Sequence, residues 1–167
     1  MTDRRRLTGQ GVRTSVDEHR ATRAIEAAAT NAAWINAALV QCQKDVDLAR
    51  AALAAENHKG AVTCTYDAIR TAVECHMNAA GLRISNQPGA HKVAIDYAAE
   101  KMAGVFDETR LLQYEQLRVL RHRAEYPFSS SMRLSIGPKD SAVAVALAAE
   151  TVNAVIAAWS REGKWRR

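Results

Sequence analysis

The chain is expected to form a single all-α domain, a four- to five-helix up-and-down bundle, and three observations lead there. Apolar residues make up 48% of the 167, and alanine dominates them. Only eight glycines and three prolines interrupt the chain. Long stretches repeat apolar residues three and four apart, with capping residues at their ends. Alanine is the strongest helix former, while a sheet draws on aromatic and β-branched residues, and aromatics are only 5% here. A chain of this length is enough for one domain with a real core.

The elements follow in order. Residues 1–14 show no periodicity and read as a flexible basic arm. Helix is expected to start at a capping box, Ser15-Val-Asp-Glu18, where serine and glutamate satisfy each other's orphan amides. From there to about Glu56 no breaker intervenes, giving one long helix or two with a bend near Thr30–Asn31. Its sharp stripe is Ile35, Leu39, Cys42, Val46, Ala49 and Leu53, a narrow seam with gaps alternating between four and three. Asn57-His-Lys-Gly60 ends it.

The next helix, about 61–80, has a wide apolar face: Val62, Tyr66, Ile69, Val73 and Met77, with Cys64, Ala68, Ala72, Cys75 and Ala79 beside them. It should be the most buried helix. A polar strip remains at Asp67, Arg70, Thr71, Glu74 and Asn78, and Gly81 stops the helix. Residues 82–90 read as a loop, and 91–103 as a helix marked by Val93 or Ala94, Tyr97, and Lys101 or Met102. Gly104 breaks it. A fourth bundle helix follows Asp107 and runs to about Glu125, because Pro127 disfavours helix at Tyr126. Its seam is Leu111 (or Arg110), Tyr114, Leu117, Arg121 and Ala124. A serine-rich loop spans 127–140; loops this long in compact domains are usually functional or disordered. The last helix, about 140–161, carries Val145, Ala149, Val152, Ile156 and Trp159 on one face. The bundle domain thus covers 15–162, with a basic tail at 163–167.

Composition narrows the chemistry. The net charge of +5 lies in the ends. The first thirteen residues hold four arginines against Asp3, the last seven hold four basic side chains against Glu162, and the body has 15 basic against 16 acidic residues. Such tails are either solvated ends or grips on a phosphate backbone. Cys42, Cys64 and Cys75 form no CxxC pair and fall on apolar faces, as reduced thiols in a core do. No uninterrupted apolar run approaches the ~20 residues of a membrane helix. MTDRRRLTGQG has arginines without an apolar segment behind them, so no secretory signal is expected and the location expected is cytoplasmic. There is no glycine-rich phosphate loop, HExxH, GxSxG or carboxylate cluster at metal spacing, so neither cofactor nor metal is expected.

The segment Leu117-Arg-Val-Leu-Arg-His-Arg-Ala-Glu-Tyr126-Pro-Phe128 stands out. Arg121 falls on the apolar seam, where a guanidinium that keeps its charge must find an anion or several acceptors. One reading pairs it inside the chain with Asp67 or Glu74. The other presents it at a groove or dimer interface to a phosphate, which its planar fork fits well. Arg118 and His122, four apart, share the neighbouring face, and Arg123 is expected to point to solvent.

Together, three segments resemble the HEPN family of bacterial toxin and defence domains over roughly residues 34–160. Tyr66-Asp-Ala-Ile-Arg-Thr-Ala-Val-Glu74 resembles the family's second helix, Gly89-Ala-His91 the start of its third, and Leu117-Arg-x-x-Arg-His-Arg-Ala-Glu-Tyr-Pro127 the end of its fourth. There the family carries its signature, an arginine and a polar residue followed four to six positions on by a histidine. A homodimer burying the fourth helix is expected, because its seam carries Arg121 and Tyr114, which the core of one chain would house poorly. The resemblance implies that two subunits pair so that both signatures face one cleft and cleave RNA without metal, with the ribose 2′-hydroxyl as nucleophile. It also implies RNA or nucleotide as ligand, or an antitoxin or other protein as partner. Carried onto this chain, the signature arginine is Arg121 and its polar follower His122. Tyr126 stands where the histidine belongs, and a phenol with a pKa near ~10 is a poor base at pH 7. Arg121, His122 and Tyr126 are therefore the expected catalytic residues, supported by Arg118, Asp67 and Glu74. The alternative is a HEPN-like dimer without catalysis, binding nucleotide, RNA or a partner protein.

Overall fold

The periodic stretches fold into a helical bundle. The computed structural model describes residues 13–125 and 136–161, with the backbone alone over 123–125. Its elements are α1 (Val16–Ala21), β1 (Ile25–Ala27), α2 (Ala32–Ala54), α3 (His58–Ala79), β2 (Leu82–Ile84), α4 (Ala90–Lys101), α5 (Glu108–Glu125) and α6 (Pro138–Arg161). The basic tail, most of the arm, Tyr126 and most of the serine-rich loop lie outside the described residues.

The breadth of its apolar face makes α3 the hub. Val62, Tyr66, Ile69, Val73 and Met77 are fully buried, as are Ala68, Ala72 and Cys75 in the parallel row. These rows pack against α2 and α6, and also meet α5 and α4. The α2 seam behaves as its spacing predicts: Ile35, Leu39, Cys42, Val46 and Ala49 are buried, while Leu53 is half-buried. The end of α6 is tied to α2 by Trp159, whose indole Nε1 donates to Asn36 Oδ1 at 2.8 Å.

The N-terminal third departs from expectation. The capping box forms: Glu18 N donates to Ser15 Oγ at 3.2 Å, and Ser15 N to Glu18 Oε2 at 2.8 Å. Yet α1 lasts six residues and no helix bridges 22–31. Arg23 turns the chain at φ 58°, and β1 then pairs antiparallel with β2, with Ile25 opposite Ile84 and Ala27 opposite Leu82. The region expected to be loop at 82–90 thus supplies a strand. Alanine's helical advantage at 24–28 is only a few tenths of a kcal/mol per residue. Burying Ile25, 2% exposed, is worth roughly 1.5–3 kcal/mol, and the pairing also satisfies the backbone. Asn31 starts α2 afresh, its side chain accepting from Trp34 N at 3.0 Å. α1 is held to α4 by a buried pair, His19 Nε2 to Asp96 Oδ2 at 2.9 Å.

Helix α6 is long and apolar enough, by length and composition, to cross a membrane. Ser141, Glu150, Thr151 and Asn153 interrupt its apolar residues, so it holds no unbroken apolar run of that length. Here it lies against α3 and α2, with Ala144, Leu147, Ala148, Val152, Val155 and Trp159 buried. The thiols are reduced and packed as expected for Cys42 and Cys75, whereas Cys64 is half-buried at the rim of a small second cluster around Ala49, Ala61 and Val145. Burial, then the nearby Asp45 charge, push the Cys42 thiol up to about 12, so it stays protonated and inert.

On α5, Leu111, Tyr114 and Leu117 are buried within the chain. The Tyr114 ring packs at 5.7 Å from Phe106 and 5.8 Å from Tyr66, so one chain houses a seam residue that suggested a dimer. Its hydroxyl has no hydrogen-bond partner among the described residues. An unsatisfied buried hydroxyl costs about 1–3 kcal/mol. Tyr114→Phe is therefore expected to leave the fold intact and raise stability by up to about 1 kcal/mol. A lower urea midpoint in the variant would show that the hydroxyl does make a stabilising bond.

Candidate functional site

The polar strip of α3 faces the side of the bundle where α4 and α5 approach, and there the charged side chains gather. Arg70 reaches one turn on, its Nε donating to Glu74 Oε1 at 2.9 Å. From α5, Arg121 Nε pairs with Asp67 Oδ1 at 3.1 Å. The Arg121 guanidinium also lies 5.3 Å from the centroid of the Tyr66 ring, within cation–π range. The internal reading of Arg121 is thus realised with Asp67, while Glu74 serves Arg70. The Arg121 side chain nonetheless keeps 24% of its surface exposed.

Tyr66 is the pivot. Its hydroxyl shares a 2.6 Å hydrogen bond with Nδ1 of His91, in the first turn of α4. Burial pushes the phenol up to about 12 despite Arg70, Arg121 and Arg118, which pull it down, so it remains protonated at neutral pH. The His91 imidazole is held below its usual value, first by desolvation and then by Arg70, Arg121 and Arg118. Its place at a helix N-terminus acts in the same direction. A neutral imidazole results, and the tautomer sets whether Nε2 is base or donor. Three guanidiniums around a phenol–imidazole pair, countered by Asp67 and Glu74, leave one net positive charge. Such a site attracts an oxyanion and is able to move a proton.

Four of the expected residues meet here: Arg121, Asp67, Glu74 and Arg118, the last exposed one turn before Arg121. His122 is exposed and lies beyond Arg118 from Arg121 around the helix. Tyr126 lies outside the described residues. His91 marks only the resemblance at the start of the third helix and lies outside the site residues expected from sequence. Its available signal was the turn Gln87-Pro-Gly-Ala90, with Gly89 at φ 92°, which sets His91 at the mouth of a helix. Its partner Tyr66 lies 25 positions away, so no local motif joins them.

Arg70 and Glu74 also line a cleft of about 580 Å³ between α3, the start of α2 and the β1–β2 ribbon. Among the described residues no group of three or more histidine, cysteine or acidic side chains is placed to hold a metal ion. No known family, curated protein or solved structure matches this chain.

Proposed function

We propose that the chain is a HEPN-like, metal-independent endoribonuclease, with Arg118 and Arg121 holding the scissile phosphate and His91 taking the proton-transfer role. The observation that carries this reading is the Tyr66–His91 pair set among three arginines. Neutral His91 accepts the proton of the ribose 2′-hydroxyl through Nε2, and the oxygen attacks phosphorus. The guanidiniums stabilise the charge of the phosphorane. The 5′-oxygen departs, taking a proton from water, and a 2′,3′-cyclic phosphate remains. His122 and Tyr126, the other residues the resemblance implies, then serve as substrate contacts. As in the family it resembles, the active form would be a cytoplasmic homodimer facing through α5, where Val119 and Arg118 are exposed, acting as a toxin or defence effector restrained by a partner protein.

The test is cleavage of a mixed RNA by purified protein in EDTA, beside Arg121→Ala. Cleavage is expected, with a loss of about 10²–10³-fold in the variant. Folded, dimeric protein that binds RNA without cutting it would leave the second reading, a non-catalytic RNA- or nucleotide-binding dimer. That reading draws on Tyr126 standing at the signature histidine's position and on the Arg121–Asp67 pair. Light scattering showing only monomer at micromolar concentration would remove the dimer from both.

A further inference from the structure

We infer that the cleft beside Arg70 is a nucleobase subsite, with Trp34 as its stacking platform, for a nucleotide whose phosphate lies at the arginine cluster. This rests on the phosphate-binding reading of that cluster. At about 580 Å³ the cleft is within the ~300–1,000 Å³ typical of small-molecule sites. Trp34 lines it with 42% of its surface exposed, whereas Trp159 is buried. A bare indole beside a polar wall suits the face of a base, which stacks on an aromatic ring whatever its edge.

The backbone that carries the platform is tied on both sides. Trp34 N donates to Asn31 Oδ1 at 3.0 Å, and Asn31 N donates to Asn78 Oδ1 at 2.9 Å. Asn78 Nδ2 in turn reaches the carbonyl of Ala29 at 3.4 Å, joining α3 to the chain that leads from the ribbon into α2. Arg70 belongs to both places. It lines the cleft, and its charge acts on Tyr66 and His91. Arg70 and Asn78 are eight residues apart on α3, about 12 Å along its axis, the scale of a nucleotide. Glu74, held by Arg70, offers a carboxylate acceptor to a ring N–H or amino group. The net positive charge of the adjoining cluster selects an anionic ligand over a cationic one that would also favour an indole face.

The experiment compares inorganic phosphate, adenosine 5′-monophosphate and adenosine by calorimetry on the full chain, with indole fluorescence as a second readout. The monophosphate is expected to bind at least about tenfold more tightly than phosphate and to quench Trp34 emission. Trp34→Ala should bring its affinity down to that of phosphate with phosphate binding unchanged, and Trp34→Phe should restore part of the difference. Arg121→Ala should weaken phosphate and monophosphate alike. Equal binding of the two by the native chain, or a monophosphate preference that survives Trp34→Ala, overturns the subsite while leaving the phosphate cluster standing. Binding of neither overturns both. Trp34 is surface-exposed, and an unchanged melting curve checks that its variants are folded.

Discussion

Replacing His91 with alanine is expected to reduce RNA cleavage by about 10²–10⁴-fold while leaving RNA binding within a few-fold of native. The imidazole, neutral near pH 7, is able to accept a proton there, whereas Tyr66, held protonated, is not. A pH signature accompanies the loss. Because desolvation and the arginines lower the pKa of His91, cleavage should stay level from pH 8 to 7 and fall only below the usual imidazole value of ~6.5. The same shift makes a statement about stability. The unfolded chain binds the proton more readily than the folded one. His91 therefore costs no stability above about pH 6.5 and costs progressively more as pH falls through that value towards its folded pKa. A variant that cleaves like the native chain would assign proton transfer to another group, with His122 the next to mutate. Tyr66→Phe separates positioning from chemistry: it keeps the ring under Arg121 and removes the hydroxyl from His91, and it should shift the acid limb as well as lower the rate.

Asp96→Ala is expected to destabilise the fold by about 3 kcal/mol or more, a large part of the ~5–15 kcal/mol that holds an ordinary domain together. Asp96 is 3% exposed on α4 and accepts from His19 on α1 and from Lys92 one turn upstream. Its removal leaves buried His19 without an acceptor and α1 without its main polar anchor. A further tie there is Val16 N donating to Glu100 Oε2 at 2.7 Å. Urea titration measures the loss, and amide exchange locates it: residues 16–27 should lose protection while α3 keeps its own. Asp96→Asn retains an acceptor oxygen and should lose less. A change under about 0.5 kcal/mol for the alanine variant would mean that the buried pair contributes little to holding α1 in place.

What the sequence reveals depends on how far apart the interacting residues are. The seam Ile35–Leu39–Cys42–Val46 and the double row on α3 repeat within a helix turn or two, and both are buried as the pattern requires except at Cys64 and Ala79, the half-buried ends of the second row. The helix starts at Ser15 and Asn31 are equally local, because each cap bonds three residues on. The ribbon is not. Ile25 in an alanine-rich stretch reads as helix until Ile84 lies opposite it, and nothing nearby announces that partner. The site divides in the same way. Arg121 is conspicuous as a charge on an apolar seam, and Asp67 and Glu74 as acids on the facing strip, so an internal pair is legible as one of two readings, while the choice of Asp67 comes from the packing of α5 on α3. Arg118 and Glu74 follow from helical spacing. His91 and Trp34 do not, since each depends on a meeting of elements, α4 with α3 and α2 with the ribbon, that periodicity leaves open.

The strand pair has a consequence for how the molecule is made. Ile25 and Ile84 are separated by 59 positions, so at about 5–20 residues per second a ribosome adds the second strand about 3–12 s after the first. During that interval α2 and the growing α3 are free to begin packing through local contacts, while residues 16–27 have neither Asp96 nor β2 to dock upon. Residues 16–27, made before α2 and α3, thus settle only once β2 and α4 are available. The wall that the ribbon contributes to the Trp34 cleft does not exist until β2, about halfway along the 167 residues, has been synthesised. A nascent chain stalled before residue 82 would lack β2, His91 and α5, and so would carry neither the ribbon's wall of the cleft nor the assembled arginine cluster.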